Sequence, residues 1–207
     1  SSDAQQIKTA RIVEALPVGE PTPAAWLAFA QLELPEGGME SVTIPLAWST
    51  GEAAARLQEA ERHACVAVLR VEGPSGELEE GVLHDALLDG RFASALVRGA
   101  LRSSSVAAPS GELLLGRFGA FDDIRRVAEE MPTAHVQRQE RGTSTVVYGD
   151  SLYLKLYHGL EFEPHQDLEM SRALEDQTGF RHVLPLAGTV EYRRGRGQRL
   201  GSAPSPG

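Results

Sequence analysis

Residues 143–157, TSTVVYGDSLYLKLY, alternate along two short runs separated by Gly149-Asp150. Successive side chains of a strand point to opposite faces, so a period of two restricts this stretch to a β-hairpin. Leu152, Leu154 and Leu156 then share one face, and Tyr153, Lys155 and Tyr157 share the other. Lys155 is the informative residue. An ammonium removed from water alone costs several kcal/mol, so a lysine amid so apolar a strand has either a carboxylate or phosphate partner or open water at a sheet edge.

The same reading extends along the chain. Strands are expected at 7–16, 24–34 and 40–48, the last two joined as a hairpin by Pro-Glu-Gly-Gly at 35–38. A buried strand is expected at 64–72, a paired strand at 77–85, and further strands at 113–118, 134–140 and 182–193. Helical spacing marks 51–63, 85–102, 120–131 (ended by Pro132) and 164–179. The run SSSVAAPSGE, 103–112, reads as a loop. Strand runs interleaved with a few helices place the chain in the α+β class, with a mostly antiparallel sheet. Its 207 residues, 42% apolar and 24% charged, can form one large or two small globular units.

A net charge of −9 argues against a general nucleic-acid or anionic-membrane binder, since both need a positive field. No apolar run is long enough to span a bilayer, and no charged-then-apolar leader opens the sequence. The single cysteine, Cys65, reads as a small buried hydrophobe and fits a reducing cytoplasm. Residues 193–207 hold four arginines, no acid, and many Gly, Pro and Ser, the composition of a disordered tail. The six histidines show no HExxH or other metal-ligand spacing and read as structural or surface residues. No GxSxG is present to support a serine hydrolase. Glu80, Asp85 and Asp89 lie near a helix start, where carboxylates cap and favour the dipole.

Two features point to phosphate chemistry. The run Gly142-Thr143-Ser144-Thr145 is small, and its backbone N–H groups can approach an anion closely. Lys155 is followed by a helix rich in carboxylates, among them Asp167, Glu169, Glu175 and Asp176. A strand lysine paired with a carboxylate of the following helix is how kinases hold nucleotide phosphates. An ordinary hairpin turn and an edge lysine facing water are the structural alternatives.

Together, Thr143-Ser144, Gly149-Asp150, Leu154-Lys155-Leu156-Tyr157, Asp167-Leu168-Glu169 and His182-Val183-Leu184-Pro185-Leu186-Ala187-Gly188 follow the order and spacing of one family. Residues 139–193 resemble the start of the kinase region of bacterial maltokinases, enzymes often fused to trehalose synthase. Residues 7–130 more loosely resemble that family's N-terminal cap, best in GVLHDALLDGRFASAL.

The resemblance implies a cap over 1–130, a curved antiparallel sheet with helices, then part of a protein-kinase-like N-lobe over 131–192. It implies that Lys155 contacts the ATP phosphates, with Glu169 as its helix partner and Thr143, Ser144 and Thr145 on the loop over the phosphates. The full enzyme would use Mg²⁺ and transfer the γ-phosphoryl group to maltose, with trehalose synthase a fused or associated partner. Arg141-Gly142 stands where the family has Ser-Asn, and no His-Gly-Asp catalytic loop occurs. The sequence is therefore expected to be an internal fragment that is inactive alone. The rival expectations are a non-catalytic binding or regulatory module, or a kinase for another sugar or an aminoglycoside.

Overall fold

The computed structural model describes residues 7–19, 25–73, 75–117, 134–140, 142–148, 152–160, 166–176 and 186–194. The first sheet contains β1 (Thr9–Val18), β2 (Ala25–Glu33), β3 (Met39–Thr50), β4 (Cys65–Glu72) and β5 (Leu78–Asp85), in the order β1-β2-β3-β5-β4 and antiparallel throughout. Helix α1 (Gly51–Ala60) leads from β3 towards β4, and α2 (Gly90–Leu101) follows β5. A second sheet joins β6 (Ser105–Ala108), β7 (Gly111–Arg117) and β11 (Gly188–Arg194), in the order β11-β7-β6. The third sheet, β10-β9-β8, contains β8 (Ala134–Glu140), β9 (Thr143–Tyr148) and β10 (Leu152–Tyr157); α3 (Gln166–Asp176) comes after it. The class is thus α+β with antiparallel sheets dominant, as the alternating sequence requires.

Local chemistry sets several boundaries. Gly37, at a φ of 86°, closes the β2–β3 turn, with the Leu34 N–H donating to Gly38 O at 2.8 Å. Asp89 caps α2: its carboxylate accepts the Arg91 N–H at 2.9 Å, and Asp85 likewise accepts the Leu87 N–H at 2.9 Å. Both therefore cap as expected, whereas Glu80 pairs across the sheet with Arg70 at 3.0 Å.

One apolar core joins parts of all three sheets. Leu16, Val18, Leu27 and Phe29 meet Phe92 and Leu96 of α2, Leu113 and Leu115 of β7, and Val146 of β9. Leu152, Leu154 and Leu156 pack against the same cluster, so the leucine face of the hairpin is its inner face. Burying a side chain such as Phe29 or Phe92 contributes about 1.5–3 kcal/mol. A polar tie crosses this core: the buried Glu14 carboxylate accepts the Tyr192 hydroxyl and, at 3.0 Å, the Ser110 N–H. Tyr192 also packs on Phe29, with ring centres 4.4 Å apart.

Three expectations need correction. The strand at 64–72 is not buried. Among the described residues it is the outer strand of its sheet and pairs with β5, and Val66 is 61% and Val68 56% exposed, with Cys65 half-buried. The supposed loop at 103–112 contains β6, which pairs with β7 across a two-residue turn, Ala108 opposite Gly111. The strand near 182–193 begins at Gly188 and pairs with β7 rather than with the hairpin sheet. The expected helix at 120–131 and residues 195–207 lie outside the described residues.

Gly81 is opposite Thr50 at the β3–β5 contact, and a Cβ there would sit 2.5 Å from the Ser49 carbonyl oxygen and 2.5 Å from the Trp48 ring. The backbone oxygen cannot step aside without moving the strand. Gly81→Ala should destabilise the fold by about 1–3 kcal/mol. Gly90→Ala, where a Cβ meets nothing within 4 Å, should leave the denaturation midpoint nearly unchanged. Equal midpoints for the two variants would refute the close approach.

Candidate functional site

The hairpin register decides which expected site residues share a face. Thr143 lies opposite Tyr157, Thr145 opposite Lys155, and Val147 opposite Tyr153. Directly paired residues of an antiparallel ladder project to the same side. Thr143, Thr145, Lys155 and Tyr157 therefore form one patch on the face away from the leucines. Lys155 is exposed, and its Nζ is 5.1 Å from the centre of the Tyr157 ring. At an exposed site such a cation–ring contact is worth roughly 0.5–1 kcal/mol and orients the ammonium.

Gly142 forms the turn before β9. Its φ of 82° is readily accessible only to glycine, and nothing lies within 4 Å of where a Cβ would be. The turn is therefore open to a ligand on that side. The patch combines one cation, two hydroxyls and a bare backbone turn, which are groups suited to phosphate oxygens.

Ser144 is placed differently. It is buried, 2% exposed, on the leucine side, with Oγ 2.7 Å from His158 Nε2. Its side chain is thus unavailable to a ligand on the Lys155 face. Glu169 is exposed on α3, and the described ion pairs do not join it to Lys155.

His158 is a residue whose position sequence reasoning left unspecified. Its Nδ1 is 3.0 Å from Thr43 O, a carbonyl that can only accept, so Nδ1 carries the proton. In the neutral ring Nε2 then accepts from the Ser144 hydroxyl. The buried His84 repeats this arrangement, with Nδ1 donating to Asp85 O at 3.0 Å and Nε2 2.9 Å from Ser49 Oγ. Each ring thus ties a serine hydroxyl to a backbone carbonyl. No sequence signal points from His158 to a strand 115 residues away.

Elsewhere, a depression of about 360 Å³ lies over β7 and β11, lined by Ser103, Ser105, Arg117, Thr189, Glu191 and Arg193 among others. Arg193 is 3.8 Å from Glu191, which offsets its charge. Among the described residues, no group of three or more His, Cys, Asp or Glu side chains is placed to hold a metal ion. No helix among them is long and apolar enough to cross a membrane. Comparison with protein-family models and with curated proteins finds no match to this chain.

Burial pushes the Asp85 carboxyl above the usual range, against the Leu87 N–H and the nearby His158, His84 and His63, which favour its charged form. A raised native pKa means that the native state holds the proton more tightly than the unfolded chain. This contribution to stability is complete in acid, below the unfolded pKa, and is lost as pH rises through the native pKa. Asp85→Asn keeps an oxygen for the Leu87 N–H and removes the charge. The variant should be more stable than wild type at neutral pH, with the gain shrinking in acid. Denaturant midpoints measured across that range check it, and a gain independent of pH would count against the burial cost.

Proposed function

We propose that this chain is the N-terminal part of a maltokinase-like enzyme and that the outer face of the β9–β10 hairpin holds the ATP phosphates. One observation carries the reading: Lys155 lies directly opposite Thr145, on the face that also presents Thr143, beside the open Gly142 turn. In this reading the Lys155 ammonium neutralises phosphate oxygens, and Tyr157 orients it. The hydroxyls of Thr143 and Thr145 donate to the same oxygens, and Gly142 lets the backbone approach.

Glu169 is the carboxylate assigned to Lys155 by the resemblance, and α3 would bring it to the hairpin in the nucleotide-bound state. The reaction moves the γ-phosphoryl group from ATP to a maltose hydroxyl, whose proton leaves, giving maltose 1-phosphate and ADP. Mg²⁺ in phosphoryl transfer is held by one or two carboxylates together with the nucleotide phosphates, and in this reading those carboxylates belong to the catalytic region beyond the matched residues 139–193. Trehalose synthase as a partner and a cytoplasmic site of action belong to the same proposal, and so does the choice of maltose over another sugar or an aminoglycoside.

A second reading, a non-catalytic binding module, draws support from the exposed apolar outer strand β4, where Val66, Val68, Leu69 and Val71 all face solvent. Nucleotide binding separates the two.

Titration of the chain with ATP, followed by NMR shifts, should perturb Gly142, Thr145 and Lys155 first. Lys155→Met should weaken binding by about tenfold, the loss of one charge-assisted contact. Lys155→Arg should retain part of it. Incubation with maltose and ATP should yield no maltose 1-phosphate, because no His-Gly-Asp loop occurs in these 207 residues. Shifts confined to other parts of the chain, or affinity indifferent to Lys155→Met, would overturn the nucleotide reading.

A further inference from the structure

β3 is longer than its partner on one side. It runs from Met39 to Thr50, yet β5 pairs only with Leu46–Thr50. The earlier part of that edge would otherwise present unpaired backbone groups. The segment directly after β10 fills the gap. The Thr43 N–H donates to His158 O at 2.7 Å, the Leu160 N–H donates to Ser41 O at 3.1 Å, and Val42 bridges Gly159.

His158 also reaches in the opposite direction. Its backbone N–H donates to Gly142 O at 2.8 Å, and its ring joins Thr43 O at 3.0 Å to Ser144 Oγ at 2.7 Å. One residue thus contacts the five-stranded sheet through two hydrogen bonds and the Gly142–Ser144 turn through two more. Both turn contacts flank Thr143, whose neighbours Thr145 and Lys155 form the outer patch.

We propose that His158 is a positioning residue that couples the five-stranded sheet at 41–43 to Gly142 and the start of β9 at 143–145. Occupancy of the outer face by a nucleotide phosphate therefore tightens the sheet edge, and by linkage a ligand or partner that orders the sheet edge raises affinity at the turn. The coupling to a nucleotide rests on the function proposed above; the clamp itself rests on the hydrogen bonds. His158 acts through Ser144 and Gly142 and touches no ligand.

The test uses the whole chain, ATP as the probe, and hydrogen exchange at single amides. In wild type, ATP should slow exchange at Thr43 and Leu160 as well as at 143–145. His158→Ala removes both ring hydrogen bonds and should weaken ATP binding about fivefold and reduce the ATP-dependent protection at Thr43, whose N–H still donates to the carbonyl of residue 158. His158→Asn, whose amide can still donate to Thr43 O, should restore part of both. Should His158→Ala fail to fold, Ser144→Ala removes the ring's contact to β9 while the His158 N–H keeps Gly142 O, and should reduce the ATP-dependent protection at Thr43.

Protection at 143–145 without any at Thr43, or unchanged affinity in a folded His158→Ala, would overturn the coupling while leaving the nucleotide site intact. If wild type binds no ATP, the nucleotide reading fails. Exchange without ligand then decides the clamp: His158→Ala must accelerate 41–43 and 143–145 together, and acceleration of one segment alone refutes it.

Discussion

The length mismatch between β3 and β5 organises much of this molecule. A buried or half-buried backbone N–H or C=O left unpaired costs about as much as a lost hydrogen bond, so a strand that outruns its neighbour must find another. Here residues 158–160 supply it, and they directly follow the strand that carries Lys155. The hairpin is thereby held on the five-stranded sheet by backbone hydrogen bonds, with its leucines already directed into the shared core. Its other face carries Thr143, Thr145 and Lys155. Core packing and strand pairing both require the same hairpin orientation.

A second tie acts at a distance from the hairpin. Glu14 in β1 accepts hydrogen bonds from Ser110, in the turn between β6 and β7, and from Tyr192 of β11. A buried carboxylate needs such donors, and here they come from residues 96 and 178 positions away. β11 closes on β7 beside these contacts, so segments far apart in the chain share one sheet.

The proposed coupling gives the histidine clamp a use beyond stability. Side-chain hydrogen bonds from one imidazole have fixed directions, so the ring holds Ser144 and Thr43 at a set separation. A turn that must approach phosphate oxygens closely gains from being held in advance, because the ordering cost is met on folding and not on binding. The second serine–histidine pair, Ser49 with His84, holds β3 to β5 in the same manner. The two pairs brace β3 at both ends of the stretch where its edge changes partner.

Much of the architecture was legible in the residues themselves. The period of two identified the strands of the first sheet and the β9–β10 hairpin, and the Leu152, Leu154, Leu156 face was correctly read as separate from that of Lys155. Asp85 and Asp89 announced their caps. These are local properties, decided within a few residues by backbone geometry and side-chain alternation. The same alternation could not show that β4 lies at a sheet edge, because Val66 and Val68 look equally apolar in a central strand. Nor could it show that β11 pairs with β7 or that His158 spans two sheets. Each of those depends on which segments meet after the chain has folded back across scores of residues. The composition of a segment carries no record of that meeting, and only the tertiary structure decides it.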